Sequence, residues 1–104
     1  MLLNKYRILV VDDEANNRKL LLQILQDNYA VAFAVNGKQA IEVAQKIKPD
    51  LILLDIMMPG MDGYEVCRKI KSDPEIHKTP IVFTTAMNEI EDETRGFEAG
   101  CVEY

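Results

Sequence analysis

The chain has 104 residues and a formal net charge of −5. That length allows one domain with one hydrophobic core, and the acidic balance argues against a surface built for nucleic acid or an anionic membrane. No apolar run approaches the roughly 20 residues that span a bilayer, so a cytoplasmic protein with no membrane partner is expected.

The opening MLLNKYRILVV does not read as a signal peptide, because Lys5 and Arg7 follow the first leucines and Asp12-Asp13-Glu14 follow the apolar run. Arg7 to Val11 reads as a strand, and Ala15 to Gln26 as a helix with Leu21, Leu22 and Leu25 on one face. Ala30 to Val35 is a second strand. Asn36 then stands at an N-cap position with Gln39 three residues on, opening a helix whose inner face is Ala40, Ile41, Ala44 and Ile47. Pro49-Asp50 ends it, and Leu51 to Leu54 is a third strand. Gly63 to Lys71 is a helix with Val66, Cys67 and Ile70 inward, and Pro80 to Thr84 a fourth strand. Asn88 with Glu91 caps a further helix carrying Ile90, Thr94 and Phe97 inward. Gly100 ends that helix, and Cys101 to Tyr104 begins a fifth strand. Strands this continuously apolar are covered on both faces, and their alternation with helices means βαβ units. The fold class is therefore α/β, a doubly wound parallel sheet.

A parallel sheet gathers the C-terminal ends of its strands on one edge, where ligands bind. On that rim lie Asp12, Asp13 and Glu14 after the first strand, Asp55 after the third, and Thr84-Thr85 after the fourth. Asp55 ends the run LILLD, so its carboxylate is partly desolvated, which is unfavourable without a counter-charge. Two carboxylates about 4 Å apart repel by roughly 4 kcal/mol at an effective dielectric near 20. Either one takes a proton or a cation neutralises them. All the donors are hard oxygens, which suits Mg²⁺, Mn²⁺ or Ca²⁺ better than zinc. An open crevice with few protein ligands favours Mg²⁺. An aspartate beside Mg²⁺ is a competent nucleophile towards phosphorus, and Thr85 could donate a hydrogen bond to a phosphoryl oxygen. Lys38, Lys69 and Lys71 lie in helices, so none is well placed as a fixed cation opposite the metal.

Plainer readings stand beside these. Asp12 and Asp13 could cap the first helix, where acids suit its dipole. His77 sits in a polar loop and reads as surface. Met57 and Met58 read as loop packing, and Gly60 and Gly63 as turn residues. Cys67 and Cys101 lie in apolar patterns without ligand spacing, as reduced packing residues would.

The segments ILVVDDE, PDLILLDIMMPGMDGYEV, TPIVFTTA and FEAGCVEY together resemble the receiver domain of two-component response regulators, over the whole chain. The resemblance implies a flavodoxin-like fold with strand order 2-1-3-4-5. It makes Asp55 the phosphoacceptor, Asp13 a direct Mg²⁺ ligand and Asp12 a ligand through water, with Mn²⁺ a possible substitute. The backbone carbonyl of Met57 would complete the protein ligands. Thr85 would be the switch hydroxyl and Tyr104 the switch aromatic. The implied partners are a histidine kinase as phosphodonor and an output domain or downstream protein, with no direct contact to nucleic acid. The domain would be no enzyme beyond catalysing its own phosphorylation and dephosphorylation.

One departure bears on function. The family has a lysine a few residues past the switch aromatic, followed by a fifth helix, whereas this sequence stops at Tyr104. The chain 1–104 thus reads as one receiver domain lacking most of strand five and helix five. Impaired phosphorylation and self-association into a homo-oligomer through strand four are expected. A Mg²⁺-dependent phosphatase with an aspartate nucleophile is the enzymatic alternative. It wants a second acid two residues after the nucleophile, where this sequence has Met57.

Overall fold

Each described segment expected to be a strand is one. The computed structural model describes residues 5–56, 58, 60 and 62–84; the helix expected after Asn88 and the strand expected from Cys101 lie outside them. In order the elements are β1 (Arg7–Val11), α1 (Ala15–Leu25), β2 (Ala30–Ala34), α2 (Gly37–Ile47), β3 (Leu51–Leu54), α3 (Gly63–Lys71) and β4 (Ile81–Phe83). All strand pairs are parallel, in the order β2-β1-β3-β4. This is the α/β arrangement expected, a doubly wound, flavodoxin-like sheet.

The crossovers determine the layers. The chain moves one way from β1 to β2 and the opposite way from β2 to β3 and on to β4. Right-handed connections then put α1 on one face and α2 and α3 on the other. Leu9 and Val11 of β1, Ile52 and Leu54 of β3, and Ile81 and Phe83 of β4 point to the α2–α3 face. They pack against Ala40 and Ala44 of α2 and Tyr64, Val66, Cys67 and Ile70 of α3. The Tyr64 and Phe83 rings meet at a centroid distance of 5.0 Å, within the range of favourable aromatic pairs. Small alanines on α2 let that helix approach the sheet closely.

The α1 face is less covered than the apolar strands imply. No residue of α1 is fully buried, and Leu51 and Leu53 of β3 are half-buried. They lie opposite Ile8 and Val10 in the β1–β3 register. A groove of about 570 Å³, lined by residues including Ile8, Leu25, Leu51 and Leu53, runs along this face. Among the described residues one helix covers this side and two cover the other.

Local signals explain the helix ends. Asn36 Oδ1 accepts a hydrogen bond from the Gln39 N–H at 2.8 Å, and Gln39 Oε1 accepts from the Val35 N–H at 2.7 Å. The pair is a capping box displaced by one residue, because the side chain of Gln39 reaches Val35 and not the cap itself. Lys48 ends α2 in the left-handed region, with φ 47°. Asp62 caps α3 through a 2.9 Å bond accepted from the Glu65 N–H, and Arg68, Lys69 and Lys71 suit the negative end of its dipole. Beyond α3, Asp73 accepts from Gln45 Nε2 and from the Glu75 N–H. These bonds, that of Gln45 first, hold its carboxyl below the ordinary carboxylate range.

Cys67 is fully buried, as a packing residue would be. Among the described residues it is not a free thiol but disulfide-bonded. That corrects the expectation of a reduced Cys67; Cys101 lies outside the described residues.

The uneven burial predicts uneven mutational effects. Ile52→Ala, at a site with no solvent exposure, should lower stability by about 2–5 kcal/mol in urea denaturation. Ile24→Ala, on the outer side of α1 and 61% exposed, should stay within about 0.5 kcal/mol.

Candidate functional site

Parallel register builds the site. Val11 and Leu54 are partners in the β1–β3 pairing, so the next residue of each strand, Asp12 and Asp55, continues the same ladder. The Asp55 N–H donates to the Val11 carbonyl at 2.9 Å, and the Asp12 N–H donates to the Ala34 carbonyl of β2 at 3.1 Å. The sheet order reverses around β1, so the site occupies the topological switch point.

Both carboxylates are buried, Asp12 at 4% and Asp55 at 6% exposure, while Asp13 faces solvent. One carboxylate oxygen from each of Asp12, Asp13 and Asp55 lies within 4.8 Å of the other two. At that spacing each pair repels by roughly 3 kcal/mol at an effective dielectric near 20. A divalent cation among them would offset the repulsion. The donors are oxygens without nitrogen or sulfur, and the exposed member leaves room for retained water, so the set fits Mg²⁺.

Asp12 and Asp13 do not cap α1. The N-cap residue is Glu14, and it makes no side-chain cap. Asp12 Oδ1 accepts instead from the Glu14 N–H at 2.9 Å, and the Asp12 carbonyl accepts from Arg18 Nη1 at 2.8 Å. Sequence inspection missed Arg18, since a basic residue in an exposed-looking helix gives no sign that it turns back to the strand end.

Thr84 continues the ladder, its N–H donating to the Leu54 carbonyl at 3.0 Å. With Asp12, Asn17, Leu20 and Leu21 it lines a pocket of about 290 Å³ beside the acids. Met57, Thr85 and Tyr104 lie outside the described residues. None of the helical lysines is turned to the acids by a described bond. Lys71 Nζ donates to the His77 and Thr79 carbonyls, Lys38 and Lys69 are exposed, and His77 is on the surface as read.

Two glycines shape the loop after Asp55. Gly60 has φ 82°, a region costly to residues with a Cβ. Gly63 is the first residue of α3, where the helical stretch Gly63 to Lys71 is expected to begin, and it also lies against the backbone of the site. A Cβ there would stand 2.7 Å from Ile56 Cα and 2.8 Å from the Asp55 carbonyl oxygen.

A family model described as the response regulator receiver domain matches residues 8–104. The chain belongs to the response regulator receiver domain family. It is 50% identical to the transcriptional regulatory protein ResD of Bacillus subtilis over 97% of its length, which is 41% of that relative. It is 46% identical to the response regulator PleD of Caulobacter vibrioides, over 94% of its length and 22% of that relative. The receiver thus spans well under half of these curated relatives. Among solved structures it resembles the chemotaxis protein CheY4 of Vibrio cholerae with a TM-score of 0.90 and 31% identity, covering 95% of this chain and 83% of that one.

The Gly63 contacts give this receiver a direct test. Gly63→Ala should destabilise by about 1–3 kcal/mol through overpacking against the Asp55–Ile56 backbone. Gly60→Ala, with open space around it, should lose only roughly 1–2 kcal/mol to left-handed strain. Urea midpoints, together with the Asp55 amide shift by NMR, separate the two: only the Gly63 variant should move that shift.

Proposed function

We propose that this receiver accepts a phosphoryl group on Asp55 from the phosphohistidine of a histidine kinase, and that the modified state alters its affinity for an output partner. What carries the reading is the register pair Asp12–Asp55, both buried at the switch-point edge with Asp13 beside them. Receiver domains bind Mg²⁺ at such an acidic pocket. Here Asp12, Asp13 and Asp55 would hold it, with the Met57 carbonyl as a further ligand. When bound, the ion draws off charge from the phosphoryl oxygens and orients them.

The chain's own residues supply the rest. An Asp55 carboxylate oxygen forms the new bond to phosphorus as the P–N bond of the donor breaks, and the electron pair returns to the imidazole nitrogen. Burial of Asp55 at the end of a rigid strand fixes the angle of attack. Thr85, one residue past Thr84 at the end of β4, would donate to a phosphoryl oxygen, and Tyr104 would follow that movement. No acid stands two residues after Asp55, where Met57 is found, so turnover of an external phosphomonoester is not part of the function.

Output would differ with what the receiver is joined to. ResD is named a transcriptional regulatory protein, and a Vibrio cholerae relative that is 42% identical is named a probable cyclic di-GMP phosphodiesterase. Among the described residues no helix is long and apolar enough to cross a membrane. Self-association belongs to the same proposal: β4 pairs only with β3 among the described residues, and its edge could take a strand from a second copy.

Acetyl phosphate with Mg²⁺ should add the mass of one phosphoryl group to the wild-type chain, and Asp55→Asn or chelation of the metal should abolish it. Unchanged labelling of Asp55→Asn would overturn the assignment. Light scattering on the same samples should show more than a monomer at high micromolar concentration.

A further inference from the structure

Asp12 is held at three points. Its N–H donates to Ala34, its Oδ1 accepts from the Glu14 N–H, and its carbonyl accepts from Arg18 Nη1. The first bond belongs to the sheet and the second to a short local turn. The third reaches across from α1 and is made by a half-buried side chain, six residues on in sequence. The N–H of Arg18 also donates to the Glu14 carbonyl at 3.1 Å, in the first turn of α1. That backbone bond is the ordinary one of a first helical turn; it is the Arg18 side chain that joins the helix to the end of the strand, at the Asp12 carbonyl. Glu14 gives α1 no side-chain cap, so no cap bond of its own shares that task.

We propose that Arg18 is a positioning residue for the acidic cluster: by gripping the Asp12 carbonyl it fixes the turn that aims the Asp12 and Asp13 carboxylates at a common cation. The inference rests on the Mg²⁺ reading above and adds a residue that does not touch the ion. The two physical roles open to Arg18 have opposite signs. A guanidinium held at the Asp12 carbonyl opposes a cation bound to the Asp12 carboxylate, so Coulomb's law alone makes its removal strengthen Mg²⁺ binding. Loss of the grip frees the turn and adds an ordering cost to binding, which weakens it.

The experiment is a Mg²⁺ titration of the wild-type chain, Arg18→Ala and Arg18→Lys, followed by amide NMR shifts, with urea midpoints to confirm folding. Arg18→Ala should bind Mg²⁺ about tenfold more weakly, the size usual for loss of a residue that orients a metal ligand. Arg18→Lys keeps the charge and one donor, and should fall between the two. Affinity in Arg18→Ala equal to or above wild type would overturn the proposal. Hydrogen exchange of the Glu14 amide without metal gives a second readout: it should speed up in Arg18→Ala at unchanged global stability, and equal exchange would count against positioning. Absence of Mg²⁺ binding by the wild type would sink the metal reading alone, leaving Arg18 to be decided by that exchange.

Discussion

The register between β1 and β3 is the constraint on which the acidic edge depends. With Val11 opposite Leu54, the chain leaves both strands at the same level, and Asp12 and Asp55 come side by side without any contact between distant loops. Side chains alternate along a strand, so a slip of one residue would turn one whole apolar set to the wrong face. The pairing is protected against that slip because Leu9, Val11, Ile52 and Leu54 all belong to the same buried layer. Burial of the core thus enforces a placement of carboxylates that, by charge alone, the chain would avoid.

That enforcement needs a stiff support, and the α2–α3 face provides it. Ala40 and Ala44 bring one helix close, while Tyr64 and Phe83 fill the space beneath the other. Gly63 then lets α3 begin directly against the backbone of Asp55 and Ile56. A site on strand ends with a helix seated beneath it holds geometry more tightly than one on free loops. On the opposite face Leu51 and Leu53 are half-buried and α1 buries no residue completely. The two layers are therefore unequal: one holds the acids in place, and the other is where α1, through Arg18, meets the strand end.

Much of this was legible before any coordinates. The unbroken apolar runs marked the strands to within a residue or two of their observed ends, and Asn36 marked the start of α2. The acids could be assigned to one edge because parallel topology admits little else. The illegible features depend on distances between elements. Gly63 looked like a turn glycine because nothing in a sequence tells how near a helix end comes to a neighbouring backbone. Arg18 gave no signal, since helical period gives a direction but not the reach of a long side chain. The disulfide of Cys67 was hidden for the same reason: its apolar surroundings are equally those of a buried thiol.

By itself, then, the sequence determined the order of strands and helices, the chemical type of the site and the family. Those follow from periodicity, from residue type at strand ends and from motif spacing, all of which are local. Only the tertiary structure decided that the acids come within 4.8 Å of one another, that Asp12 is buried as Asp55 is while Asp13 is not, and that the Arg18 side chain ties the helix to the strand end. Such facts arise when separate elements pack, because burial and distance belong to pairs of elements and to neither one alone.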